Sequence, residues 1–276
     1  MNRIFALFAF AAILALPFSA FGQAHKVVHA KDGSGVFGYK DTPIQPWSGY
    51  HVHDPDRPAP KKVDPGAPGS DRPNQPPSDA IVLFDGKDLS AWQPTQWKVE
   101  EGCLVATEGP MATKQEFGSC QLHVEWQVPL EQPESVWNHG NNGVFLGGSI
   151  EVQIFDSYRT KIYPDGQAAA IYAQTPPLVN ACRKPGEWEV YDIVYRAPKF
   201  GKDGKVESPA RITMFHNGVL VHWDQEIYGG SPHAGVASYE SVKARAPIAF
   251  GAHGCPVRFR NIWIRPLDAE PKPKTP

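Results

Sequence analysis

Residues 137–156 read W-N-H-G-N-N-G-V-F-L-G-G-S-I-E-V-Q-I-F-D. A polar turn leads into a short apolar strand, two glycines reverse the chain, and a second strand follows. In that second strand Ile150, Val152 and Ile154 share one parity, while Glu151 and Gln153 share the other. Strand side chains alternate between faces, so one face is core and the other carries an acid beside an amide. His139, Asn141 and Asn142 stand just upstream, in a loop that the hairpin holds near the same surface. A carboxylate, amides and an imidazole on one open sheet face suit recognition of a polyhydroxylated ligand such as a carbohydrate.

The surrounding chain repeats the pattern. Ile81–Phe84 reads as a short buried strand, and Trp97–Val99 and Cys103–Ala106 flank a Glu-Glu-Gly turn. Cys120–Val128 alternates, with Leu122, Val124 and Trp126 inward and His123 and Glu125 outward. Glu187–Arg196, Arg211–His216 and Val257–Ile264 are further strands, and Asn217-Gly218 is a strong hairpin signal. With 28 prolines, 25 glycines and no convincing helix, the chain reads as an all-β protein, a jelly-roll β-sandwich over residues 80–267. A net charge of −2 offers no basic stripe for phosphates, which argues against nucleic acid.

The ends read differently. Asn2-Arg3, the apolar run Ile4–Leu16 and Ala20-Phe21-Gly22 form a signal peptide over residues 1–22, cut before Gln23. That run is too short to span a membrane, so the expectation is a secreted or periplasmic protein with no membrane span. Residues 23–79 are an extended Pro-rich segment, and Pro55–Pro77 reads as a linker. Val36, Phe37, Tyr39, Ile44, Trp47 and Tyr50 are too many large apolar groups for a free linker. The stretch from Val36 to Val52 is therefore expected to lie along the main domain or a partner. His51 and His53 could chelate a metal if extended, although solvated histidines are the ordinary expectation. Residues 268–276 are a polar tail. Cys103, Cys120, Cys182 and Cys255 allow three pairings in an oxidising compartment. Neighbouring strands favour Cys103 with Cys120.

Several short pieces, in order, resemble the 3-keto-disaccharide hydrolase domain family. They include Leu83-Phe84-Asp85-Gly86-Lys87-Asp88-Leu89, Gly143-Val144-Phe145-Leu146, Glu151-Val152-Gln153-Ile154, Asp165-Gly166-Gln167, Pro185-Gly186-Glu187-Trp188 and His253-Gly254. The resemblance implies a concanavalin- or laminin-G-like jelly roll that cleaves 3-keto-glycosides. An upstream glycoside 3-oxidoreductase would supply the ketone. Two departures stand out: Asn141-Asn142-Gly143 replaces the family's Asn-Ser-Gly, and Gly251-Ala252 replaces the Gln-Asp that often precedes the late His-Gly. The second removes an acid that would orient His253.

The implied chemistry needs a base at C2, a stabiliser for the enolate oxygen and an acid for the leaving group. Glu151 is the first candidate, with His253, His139 and Asp156 as further catalytic candidates. Asp156 has the wrong parity unless a bulge re-aims it. Asn141, Asn142, Gln153, Arg159, Lys161, Tyr172 and Gln174 are the candidate substrate-binding residues. Glu151, His139, His253 and Asp156 are suitable donors for a divalent metal, but no spacing commits to one. Trp126, Trp188 and Trp263 read as core. A non-catalytic carbohydrate-binding module and an anchoring scaffold are the rival readings.

Overall fold

The computed structural model describes residues 25–66 and 75–268. The expected signal peptide lies outside the described residues, as does the tail beyond Asp268. Two antiparallel sheets form the body of the protein, a β-sandwich of the jelly-roll class. The larger sheet orders its strands Val219–Glu226, Arg211–His216, Glu189–Arg196, Cys120–Gln127, Arg258–Pro266, Cys103–Val105 and Lys98–Glu100, with Ile81–Phe84 also paired to Arg258–Pro266. The smaller sheet runs Ile150–Ile154, Asn142–Leu146, Ala246–Ala252 and Met111–Phe117. Helix among the described residues is limited to two single 3-10 turns, Val136–Asn138 and Pro164–Gly166. No helix among them is long and apolar enough to cross a membrane.

Alternation builds the core. Leu122, Val124, Trp126, Tyr191, Ile193 and Met214 from the larger sheet meet Val144, Leu146, Ile150, Val152, Ile248 and Phe250 from the smaller, all buried in one cluster. In the hairpin that opened the sequence reading, Leu146 pairs with Ile150 and Val144 with Val152. Gly147 and Gly148 turn it at φ 56° and 87°, a conformation that costs glycine little. With Val152 committed to the core, Glu151 and Gln153 face out of the sandwich.

The segment before the sandwich is packed, not free. Val27–His29 and Phe37–Tyr39 form a hairpin, and the Phe37 N–H donates to the Lys161 carbonyl at 3.2 Å. Tyr39 stacks on Trp137 at 5.9 Å and Trp47 on Tyr228 at 4.3 Å. The aromatic patch thus packs against this chain's own loops, with Val36 and Tyr39 buried, Phe37, Trp47 and Tyr50 half-buried and Ile44 exposed. Within the expected linker, Lys61–Lys62 pairs in parallel with Val179–Asn180. His53 is fully buried, not solvated.

The expected disulfide is absent: all four cysteines are buried free thiols. Register explains why. Leu104, next to Cys103 on its strand, pairs with Phe259, so the register sets Cys103 by Arg260, whereas Cys120 pairs with Pro266 at the other end of the same strand. Six residues of extended chain separate those positions by roughly 20 Å, far beyond disulfide reach.

Candidate active site

The outward face of the smaller sheet is floored by glycine. Gly143 pairs with Gln153 on one side and with Gly251 on the other. The Glu151 side chain lies over Gly143, where an added Cβ would come within 2.3 Å of Oε1. A Cβ on Gly251 would stand 3.0 Å from the Phe145 ring and 3.9 Å from His253 Nε2. Glu151 and His253 therefore overhang two directly opposed backbone positions, about 5 Å apart in a paired sheet.

Glu151 is 8% exposed, and burial pushes its carboxyl up to about 8. Its backbone N–H donates to Ser231 Oγ at 3.1 Å. With its nitrogen turned toward acceptors, as its surroundings demand, the Gln153 amide donates to the Asn142 carbonyl at 2.7 Å and to Glu151 Oε1 at 3.3 Å. Glu151 is thus a neutral acid at pH 7, and above pH 8 a stronger base than an ordinary glutamate.

Aromatic and imidazole rings wall the face. The Tyr163 and Tyr172 hydroxyls lie 3.0 Å apart, and the Tyr172 hydroxyl lies 3.0 Å from His233 Nδ1. Burial, with Glu151 among the nearby charges, raises Tyr172 above the usual phenol range. His233 stands exposed at the rim, yet the protein packed behind its ring and the neighbouring His53, His25 and His253 hold it below the usual imidazole range. His253, also at the rim, is lowered by the protein packed around it. Sequence reading missed His233 and Tyr163, since neither has a spacing that marks it. Gly143 stood in a quoted motif, but its role as floor needed the fold.

Other expected site residues are engaged elsewhere. The strand ends at Ile154 in clean register, with no bulge to re-aim Asp156. Asp156 instead accepts the Tyr158 and Arg159 backbone N–H groups and pairs with Arg159 Nε at 2.8 Å. Both nitrogens of His139 are occupied, by Thr160 Oγ1 at 2.8 Å and the Pro133 carbonyl at 3.1 Å. Asn141 donates to the Trp137 carbonyl and Lys161 to that of Ser34. Gln174 is fully buried, donating to the Gly229 carbonyl and accepting from the Tyr228 N–H. Asn142 accepts the Gly143 N–H, and its buried Nδ2 has no partner.

His123 and Glu125 lie on the outer face of the larger sheet, with Asp192, Arg260 and Asn261. Among the described residues, the one cluster of three potential metal donors is Cys182, Glu189 and His216. Its Glu189 oxygens already accept from His216 Nε2, Asn217 Nδ2 and the Arg183 N–H, so it reads as a satisfied core network.

Comparison with known proteins bears on the family and the fold. A family profile described as a 3-keto-alpha-glucoside-1,2-lyase-like domain matches residues 79–265. The crystal structure of a candidate glycosyl hydrolase from Parabacteroides distasonis shares 44% identity over 69% of this chain and 84% of its own, with a TM-score of 0.66. A second candidate glycosyl hydrolase from the same organism shares 19% identity over 69% of this chain and 94% of its own, at TM-score 0.52, and supports the fold alone. No curated protein matches the chain.

Proposed function

We propose, from the premise that this chain belongs to the 3-keto-alpha-glucoside-1,2-lyase-like domain family, that it is an exported enzyme cleaving 3-keto-glycosides by elimination and hydration. A carbohydrate-active role follows from the family and from the glycosyl-hydrolase relatives. The single observation that supports the finer reading is Glu151, a carboxyl raised to about 8 by burial, set on a glycine floor.

Glu151, once ionised, takes the proton from C2 of a sugar whose C3 is a ketone, and the electron pair passes to the C3 oxygen as an enolate. The enolate re-forms the ketone, the C1–O bond breaks, and the aglycone leaves with a proton. Water then adds at C1 and a proton returns to C2, giving the free 3-keto sugar. In this reading His253 and Tyr172, whose hydroxyl lies 3.0 Å from His233 Nδ1, hydrogen-bond the departing oxygen. Gln153 holds the Glu151 carboxyl with one amide N–H and is itself fixed by the other on the Asn142 carbonyl, so it positions the base. Ordinary double displacement needs a second carboxylate about 5 Å from the first. Asp156 is committed to Arg159 and its own turn, which favours elimination.

Such an enzyme acts after a glycoside 3-oxidoreductase. The test is release from a chromogenic 3-keto-glucoside beside the unoxidised glucoside, for wild type and Glu151→Gln. Turnover of the keto substrate alone, lost in the variant, supports the reading. Equal turnover of both, or full activity in Glu151→Gln, overturns it. Export is tested by the mature N-terminus, expected at Gln23.

A further inference from the structure

We infer that the N-terminal segment is a working wall of this site, and that His53, oriented by Asp165, is a positioning residue for the Tyr163–Tyr172–His233 chain beside Glu151. The inference rests on the proposed function for its substrate, but His53 and the segment that carries it lie outside residues 79–265, the span that the family profile matches.

His53 is fully buried, with Nδ1 3.3 Å from Asp165 Oδ1 and its backbone N–H donating to Asp165 Oδ2 at 3.1 Å. Asp165, also fully buried, is further held by Gln45 Nε2 at 3.2 Å and faces Arg57 Nη1 at 4.0 Å. Burial alone would raise this carboxyl. The charges and hydrogen bonds of His53, and Arg57 beyond it, instead hold it below the usual range. The segment's approach is tight: a Cβ at Gly38 would stand 2.2 Å from the His53 carbonyl oxygen, so only glycine fits there.

Three features distinguish His53 from a histidine that merely fills space. It has φ 63°, a strained setting for a residue with a side chain. Among the described residues it is the histidine that leaves a buried ring nitrogen, Nε2, without a partner, whereas buried His216 and His222 bond theirs to Glu189 and to the Ala169 carbonyl. Its ring stacks on Tyr163 at 4.0 Å and lies 5.0 Å from Tyr172 and 5.6 Å from His233. A carboxylate-oriented imidazole with a spare nitrogen, packed against both tyrosines, fixes the rings that carry the Tyr172 and His233 protons. The groups facing His233 are Tyr172, Tyr39, His53, His25 and His253.

The test uses the full chain with His53→Phe, Asp165→Asn and the double variant, plus His53→Gln should the phenylalanine fail to fold. Turnover of the chromogenic 3-keto-glucoside is expected to fall in kcat by about 10- to 100-fold with KM little changed, since misplacing a positioned group costs on that scale. The double variant is expected to be no worse than either single one. In the ligand-free protein, NMR titration of His233 is expected to move upward in His53→Phe. Unchanged kcat in a folded variant, or loss confined to KM, overturns the inference. Should wild type turn over no 3-keto-glycoside, the proposed function fails by itself. The His233 titration then decides this inference alone, and an unmoved titration refutes it.

Discussion

Replacing Glu151 by glutamine tests whether burial governs this carboxyl. A glutamate raised from 4.5 to about 8 holds its proton in the folded protein across a range where the unfolded chain has lost it. Below about pH 4.5 both states are protonated, and the residue imposes no ionisation cost. As pH rises from there toward 8, the unfolded state is progressively favoured, and above 8 the cost levels off. At 1.36 kcal/mol per pH unit, the full rise amounts to about 5 kcal/mol as an upper bound. Glu151→Gln has the same shape and no such cost. Urea unfolding of both proteins from pH 5 to 9 is the assay, read as the difference in stability. That difference should grow in favour of the variant with rising pH and flatten above 8. Taking the difference matters because other groups titrate in the same window. Parallel stability profiles would show that solvent or a counter-charge reaches Glu151, and the argument from burial would fail.

Gly143→Ala should fold, since Gly143 does not need a left-handed backbone, but its Cβ would displace the Glu151 carboxyl. A kcat loss of about 100-fold with an unchanged melting temperature is expected from steady-state kinetics and calorimetry. His123 works in the opposite sense from a buried acid. Burial disfavours its charge, but Asp192 at 2.6 Å and Glu125 at 3.5 Å overrule that and lift it to about 9. Its contribution is full below pH 6.5 and lost as pH rises through about 9. His123→Gln should therefore cost about 1–2 kcal/mol at pH 6, after discounting for half-exposed Asp192, and little at pH 10. The four buried thiols should resist a thiol reagent in the native protein and take up four labels in denaturant without reductant. Labelling of fewer than four would reveal a disulfide.

The period-2 pattern of Ile150–Ile154 put Glu151 and Gln153 on the outward face because every residue of a paired strand must choose a side, and Val152 chose the core. The same rule made Trp126 core, and it set His123 and Glu125 on the far surface. It failed where the chain leaves a strand. Asp156 lies two positions beyond Ile154, the last paired residue, so parity no longer binds it, and a local turn with Arg159 takes its oxygens. The cysteines failed for a related reason: proximity in sequence suggested neighbouring strands, but register along Arg258–Pro266 separates them.

The N-terminal segment was the hardest to read, because its contacts are made one polar group at a time across long sequence separations. Gln45, His53 and Arg57 all converge on Asp165. Proline-rich composition describes the free chain, which extends whether or not it is docked. What docks it is a carboxylate over 100 residues away, inside the Asp165-Gly166-Gln167 piece that the family resemblance had already marked. A buried aspartate needs partners, and the cations near it in sequence, Arg159 and Lys161, are engaged by Asp156 and the Ser34 carbonyl. From the upstream segment, His53 with Arg57 takes the place. That exchange ties a segment outside the family domain to the wall of its site. Asp165→Asn should therefore loosen the segment and disturb the site together.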